Sequence, residues 1–436
     1  MLYGPDEGDA RLRSELAKWL SDFYSHHIRD SITAERIAIT GGASQNLACV
    51  LQTFTDPEFT RNIWIVAPSY FLAFRIFNDS GFGAKLRAVP EDEEGLDIEY
   101  LRREIHASEK AAKARGNEAP KYKVKTEWGK VYKHIIYAVP TFSNPSSKTM
   151  SLRRREEVVR LAREYDALII TDDVYDQLQW STSFPSSGSA TNHLLKSAIP
   201  RIVDVDRYLD GGPADDFGNA CSNASFSKIM GPGVRTGWCE GTPAFAYGLS
   251  QTGTSRSGGA PSHLTATFLA ELLARGALQK HINETLQAAY ARRWRVMIDA
   301  VEKHLVPLGV KLPQEDRDVV GGYFIWLRLP PHIRANLLAR RCKDTCNLVI
   351  AEGTIFEVPG DASLQPEGGG ASTAFPYEIR LCFAWEEEDA LVEGVERLAS
   401  VVRDMLEEPE GVNSRATRKS LDEGSGGGGM DIGSFQ

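Results

Sequence analysis

At 436 residues the chain is too long for one ordinary core, so two domains are the default. An apolar share of 42%, a charged share of 25% and a formal net charge of -9 suit a soluble globular protein and argue against nucleic acid as a partner, which would select a basic face. No apolar run approaches the roughly 20 residues that cross a bilayer, and no charged-then-apolar leader opens the chain, so no membrane partner is expected.

In chain order, residues 3 to 8 (Tyr-Gly-Pro-Asp-Glu-Gly) form a turn before an amphipathic helix over about Asp9 to Arg29, with Leu12, Leu16, Trp19, Leu20 and Phe23 on one face. From Ile37 the pattern is strand, Gly-rich turn, helix: Ile37 to Thr40, Gly41-Gly42-Ala43-Ser44-Gln45, then Asn46 to Phe54. Such a turn aims backbone N–H groups at an anion. A strand over Asn62 to Ala67 delivers Pro68-Ser69-Tyr70, a ring at its C-terminal end. Residues 91 to 130 read as a helix and a lysine-rich surface excursion, and Arg153-Arg154-Arg155, beside acids, as a solvated helix face.

A strand over His134 to Val139 leads into the turn Pro140-Thr-Phe-Ser-Asn144-Pro145, and a helix over about Ser151 to Tyr165 precedes a strand, Ala167 to Thr171, that ends in Asp172-Asp173-Val-Tyr175. This repeated order predicts a largely parallel sheet, which binds ligands beyond its strands' C-terminal ends. Ser181 to Ala220 reads as loop, with Asp206-Arg207 and Leu209 to Pro213 as turn chemistry. A long helix is predicted from the turn at Ser262 into the region of Gln279 to Leu305. Strands at Gly321 to Leu329 and Glu378 to Phe383, a helix from about Pro331 and a last helix from Glu386 make a second domain, followed beyond Glu407 by a Ser- and Gly-rich tail predicted to be disordered.

The stretch with most chemistry is Ser225-Phe-Ser227-Lys228-Ile-Met-Gly-Pro-Gly-Val-Arg235. A desolvated lysine can attack a carbonyl and later carry a proton, and hydroxyls with an arginine suit a phosphate dianion. An aldehyde cofactor that bears a phosphate meets both demands, which points to pyridoxal phosphate (PLP). Taken singly, Lys228 reads as a surface lysine, Asp172 as a helix cap, Tyr70 as a packing ring and Arg380 as a salt-bridge residue. Their joint spacing carries the argument. The six cysteines are scattered, and the Cys342/Cys346 pair lacks a second pair or a nearby histidine, so free thiols are expected rather than zinc. No role is expected for His26 or His27.

The order of these motifs resembles the class I/II aminotransferases of PLP fold type I, from Tyr3 to about Val402, and within them the kynurenine/2-aminoadipate branch in a fungal-type version. The resemblance implies a three-layer α/β fold with a mostly parallel central sheet and a smaller α+β C-terminal domain. Its implied division is residues 1–30 as an N-terminal helix on the small-domain side, 31–275 as the PLP-binding domain, 276–407 as the small domain and 408–436 as tail.

It also implies the roles. Lys228 would hold PLP through a Schiff base and shuttle a proton. The phosphate would meet Gly42, Ala43, Ser44, Ser225, Ser227 and Arg235. Tyr70 would stack on the pyridine ring, Asp172 pair with its nitrogen, and Tyr175 and Asn144 donate to its phenolic oxygen. Arg380, with Asn144, would bind the substrate, and Tyr3 would reach the phosphate of the neighbouring subunit of a homodimer. The implied activity is amino-group exchange between an L-amino acid and a 2-oxo acid. A PLP lyase of the same fold and a non-catalytic relative are the alternatives.

Two departures stand out. Family members carry several tens of residues before the equivalent of Tyr3, including an arm that closes over substrate, so a shortened N-terminus is expected. The separation of Asp172 from Lys228 is also longer than usual. The expected location is cytoplasmic, with a mitochondrial one left open by the short N-terminus.

Overall fold

The structure is a computed structural model that describes residues 3–182, 194–312, 318–361 and 372–408. The first half runs α1 (Ala10–Phe23), β1 (Ile37–Thr40), α2 (Ala43–Phe54), β2 (Ile63–Ala67), α3 (Phe71–Phe77), β3 (Leu86–Asp92), β4 (Gly95–Leu96), α4 (Ile98–Ala114), β5 (His134–Ala138), α5 (Leu152–Glu164), β6 (Ala167–Asp172) and β7 (Gln179–Ser181). Then come α6 (Ile202–Tyr208), β8 (Ala220–Ser225), β9 (Gly237–Glu240), α7 (Pro243–Ser250), α8 (Gly253–Arg256), α9 (His263–Ala274), α10 (Ala277–Lys280) and α11 (Gln287–His304). The chain closes with β10 (Val319–Gly321), β11 (Phe324–Arg328), α12 (Ala335–Cys346), β12 (Ala351–Glu352), β13 (Glu378–Cys382) and α13 (Glu388–Glu407).

Apolar strands buried on both faces build the central sheet, in the order β1-β9-β8-β6-β5-β2-β3-β4. The strands from β8 to β3 pair in parallel, while β9 and β4 run against their neighbours. Alternation along each strand decides what each face meets. Trp64, Val66, Ile136, Ala138, Ala167, Ile169 and Ala220 pack with α4, α5 and α6 through Leu101, Ile105, Val158, Leu161, Ile202 and Val205. The opposite face takes α2 and α3: Asn46 of α2 reaches Asn223 of β8, and the Phe77 ring of α3 meets Tyr137 of β5 edge-on at 5.5 Å. The result is the expected three-layer α/β architecture.

The chain forms two compact units. The larger takes in Met1–Ala291, Arg317–Gly322 and Glu357–Thr373, and the smaller Arg292–Asp316, Tyr323–Phe356 and Ala374–Gln436. The sequence reading put α1 on the small-domain side and a boundary at 275/276. The structure groups α1 with the larger unit, by way of α9, and returns β10 there to pair with β7. In the smaller unit, β11-β13-β12 form an antiparallel sheet, and α13 buries Leu391, Val395, Leu398 and Val402.

Three local expectations need correction. The segment read as loop contains α6, whose Ile202, Val203 and Val205 are buried; burial overrides the weak helix propensity of Val and Asp. The expected tail after Glu408 and residues 183–193 lie outside the described residues. The long helix predicted from Ser262 is broken at Gly276, which takes a left-handed φ of 69° between α9 and α10. The arginine run is not a solvated face: Arg153 is exposed, but Arg154 is 5% and Arg155 0% exposed. Arg154 pairs with Asp92 and Glu157.

The lysine-rich excursion after α4 is tied down by one carboxylate. Fully buried Asp56 accepts from the backbone N–H groups of Glu58 and Phe59 on Oδ1, and from those of Lys121, Tyr122 and Lys123 on Oδ2. Burial alone would raise its pKa, but these bonds outweigh burial and hold it below the usual value. Asp56→Ala, which leaves several donors unsatisfied, is expected to lower the unfolding free energy by about 3 kcal/mol at pH 7. Because the folded pKa is depressed, this advantage is present above the unfolded value and fades as pH falls below about 4. Urea unfolding of both proteins at pH 7 and pH 3.5 reads it.

Candidate active site

The lysine turn is fixed by its neighbours rather than by the lysine. At the end of β8, Ser225 Oγ accepts from Ser227 N at 3.1 Å and donates to Ser227 Oγ at 2.9 Å. The next residue, Phe226, is fully buried with its ring 4.9 Å from that of Trp238. One short helical turn, Phe226–Lys228, then leaves Lys228 half-buried with Nζ 5.9 Å from the centre of the Tyr175 ring.

Strand parity explains what faces it. Tyr137, Asp172, Asn223 and Ser225 all point to the α2/α3 side of the sheet, opposite the face formed by Ile136, Ile169 and Ala220. Tyr137 donates to Asp172 Oδ2 at 3.1 Å. Burial and the Asp172 carboxylate raise the tyrosine's pKa, so it remains a donor. Asp172 Oδ1 is buried and accepts no hydrogen bond. Burial pushes the Asp172 pKa up to about 7, opposed by the Tyr137 bond, reinforced by Asp173 and opposed again by the Lys228 ammonium. A buried carboxylate with one unsatisfied oxygen calls for a cationic donor. A protonated pyridine nitrogen is such a donor.

A cup for an anion lies beside the lysine. Thr40, Gly237 and Ser225 stand in register across β1, β9 and β8. Gly237 is required there, because a Cβ would sit 2.4 Å from Ala224 O and 2.9 Å from Gly42 Cα. Gly42, at φ 100°, caps α2 without a side-chain bond, and the first N–H groups of α2, Ala43 and Ser44 among them, have no intrahelical acceptor. Arg235 bends into this corner with a left-handed φ of 44°, held by Ser262 Oγ, which donates to its carbonyl at 2.6 Å. Its Nη2 donates to Gly41 O at 2.8 Å. Hydroxyls, helix N–H groups and a guanidinium converge where a phosphate can enter, and Ser44 and Arg235 are exposed. Both the orphaned Asp172 oxygen and this cup fit PLP.

The remaining predicted residues are placed as follows. Tyr70 caps α3 and is half-buried; Asn144 and Tyr175 are 6% and 3% exposed. Tyr3 is 85% exposed, on a segment whose Gly4 lies against the His263 ring. Arg380, in the smaller unit, is 7% exposed on β13, its guanidinium carbon 4.0 Å from the ring centre of Phe324 and 4.9 Å from that of Phe356. The six cysteines are free thiols. Among the described residues no helix is long and apolar enough to cross a membrane, and no group of His, Cys, Asp and Glu could hold a metal ion.

Several residues of the site escaped sequence reading. Asn223, opposite Asp172 in register, donates to Ala43 O at 3.0 Å and accepts from Asn46 at 2.9 Å, which fastens α2 to β8. Below the site, Asp173 accepts from Thr171 and Ser222, and Asp176 from Tyr24 at 2.7 Å. Arg201 lies over the Tyr24 ring and pairs with Asp204 and Glu240. Tyr137 and Asn223 sit inside buried strands, where only the parity next to Asp172 could have signalled them.

A lysine turn, a buried acid awaiting a cation and a phosphate cup at the strands' C-terminal ends define a PLP enzyme of the α/β class. The model of the family "aminotransferase class I and II" matches residues 1–398, so the chain belongs to that family. An uncharacterized protein of Saccharomyces cerevisiae is 34% identical over 92% of this chain and 87% of its own length. An aromatic-amino-acid aminotransferase of Thermococcus litoralis is 27% identical over 93% of this chain and 80% of its own. Among solved structures, a kynurenine aminotransferase of Pyrococcus horikoshii in complex with PMP matches with TM-score 0.68 and 27% identity, over 94% of this chain and 83% of that one. The protein is a PLP-dependent transaminase, and the lyase alternative is not favoured.

Proposed function

We propose that this aminotransferase takes aromatic and long-chain L-amino acids as donors and a 2-oxo acid as acceptor, and that it acts as a homodimer. Bound PLP supplies an electron sink for the pair left when the substrate α-proton departs. Lys228 anchors it and afterwards takes and returns that proton on Nζ. The Asp172 carboxylate would accept from the pyridine nitrogen and keep it cationic, Tyr175 and Asn144 would donate to the phenolic oxygen, and Tyr70 would stack on the ring. Gly42, Ala43, Ser44, Ser225, Ser227 and Arg235 hold the phosphate. Arg380 is assigned the substrate carboxylate, through a planar fork that lysine could not reproduce, and Asn144 is assigned a further contact with the substrate.

The observation that carries the site assignment is Asp172 Oδ1, buried and unsatisfied on the sheet face of the lysine turn. The donor class rests on the names of the relatives. The homodimer rests on exposed apolar side chains, Leu264 at 71% and Phe268 at 62%, on the helix that starts at the Tyr3 segment. Mixing the PLP-loaded protein with tyrosine, phenylalanine, kynurenine, 2-aminoadipate, aspartate and alanine tests the donors. Loss of the cofactor's visible band with the first four and release of their 2-oxo acids is expected. Conversion by aspartate or alanine alone would overturn the donor class, and conversion by none would overturn the site. Sedimentation equilibrium checks the dimer.

A further inference from the structure

We propose that Arg155 is a positioning residue for the cofactor site, acting as the internal clamp of the loop that carries Asn144; this rests on the role given to Asn144 above. The loop starts at Pro140 and ends at Met150. Its interior bonds close it on itself: Met150 N donates to Pro140 O at 2.7 Å, Ser143 N to Lys148 O at 2.9 Å and Ser147 N to Ser143 O at 2.7 Å. Phe142 takes a left-handed φ of 51°, with its N–H donating to Thr149 Oγ1 at 3.2 Å. A loop closed in this way is locally stiff but needs ties to the body of the protein.

Arg155 supplies them from the first turn of α5. Nε donates to Met150 O at 3.0 Å, Nη2 to Pro140 O at 2.8 Å and to Thr141 Oγ1 at 2.9 Å, and Nη1 to Pro200 O at 2.8 Å. One fully buried guanidinium thus grips both ends of the loop and fastens them to the segment before α6. Further ties lie at the loop's far side, where Ser146 donates to Glu91 at 3.1 Å and Lys148 donates to Asp92 O at 2.9 Å. The opposite flank is packed by glycines: a Cβ at Gly321 would lie 2.6 Å from the Phe142 ring, and one at Gly322 3.1 Å from Phe142 Cβ. Asn144 sits two residues beyond Phe142. These two clamps hold the backbone on either side of it.

Four acceptors in four directions match the planar fork of arginine, whereas lysine keeps the charge and loses the geometry. Arg155→Lys therefore separates position from charge. The holoenzymes of wild type, Arg155→Lys, Thr141→Val and Asn144→Ala are titrated across pH while the visible band of bound PLP is followed, with PLP affinity, kcat and KM measured alongside. Donation to the phenolic oxygen sets the midpoint of that titration. Arg155→Lys is expected to shift it in the direction of Asn144→Ala and to lower kcat by about 10- to 100-fold, the scale of a misplacement of about 1 Å. Thr141→Val, which removes one bond, shifts it less and in the same direction. It also carries the test if Arg155→Lys does not fold. A wild-type midpoint in Arg155→Lys, or in Thr141→Val where that variant stands in, would overturn the clamp even if thermal stability fell. A wild-type midpoint in Asn144→Ala would instead overturn the role of Asn144 and the proposal with it.

Discussion

Lys228→Ala is expected to abolish the visible band of bound PLP and to lower kcat by about 10⁴-fold or more, since the proposed function makes this one residue both the covalent anchor and the proton carrier. The fold should survive. The turn is held by buried Phe226 and by the Ser225–Ser227 bonds, and the lysine's contact with the Tyr175 ring, at 5.9 Å, is an ordinary cation–π approach. Without the ammonium, Asp172 loses an influence that lowers its pKa and becomes harder to ionise. The variant should therefore also bind PLP more weakly than the loss of one bond explains. Absorbance spectroscopy, single-turnover mixing and apo-protein melting read the three effects. Retention of the band in Lys228→Ala would remove the lysine from the site.

Asp172→Asn should change both catalysis and pH dependence. In the apo protein the Asp172 pKa is about 7, against an unfolded value of about 3.9. The folded state therefore holds its proton more tightly, and stability present below the unfolded pKa is lost as pH rises toward 7. A shift of about 3 units corresponds to about 4 kcal/mol. Relative to Asp172→Asn, the wild-type apo protein should lose stability of this order between pH 4 and pH 8. Asp173 and Asp176, also raised by burial, titrate in both proteins. The role proposed for Asp172 reverses the sign: pairing with a pyridinium would need the ionised acid, so the asparagine variant should bind PLP more weakly and turn over about 10²- to 10³-fold more slowly. Parallel stability profiles for the two apo proteins would refute the argument.

The architecture was legible where one signal dominated. Strands β1, β2, β5 and β6 are short apolar runs closed by turn residues, and each ends next to chemistry: Gly41, Pro68, Pro140, Asp172. The lysine motif was legible because hydroxyl, lysine and arginine occur at fixed offsets. Helix α6 was not, because Ile-Val-Asp-Val-Asp gains its helix from burial against β8 and α5 rather than from propensity. Arg155 was misread for a related reason. Next to exposed Arg153 it has the same local sequence context, and only the loop that folds over it makes it the most buried charge of its helix. Tyr137 shows the limit of periodicity: inside a fully buried strand, a residue that bonds a buried acid and one that fills space look alike.

The way the chain divides between its units bears on the order in which the molecule can be completed. It passes from one unit to the other at 291–292, 316–317, 322–323, 356–357 and 373–374. During synthesis β7, already made at residues 179–181, has an open edge until Val319–Gly321 emerges to pair with it. The smaller unit waits longer still, because its central strand β13 follows both β11 and β12 in the chain, and both pair with it. Neither unit exists as one uninterrupted stretch of sequence. A nascent chain can therefore display the lysine turn well before Arg380 joins its strand partners.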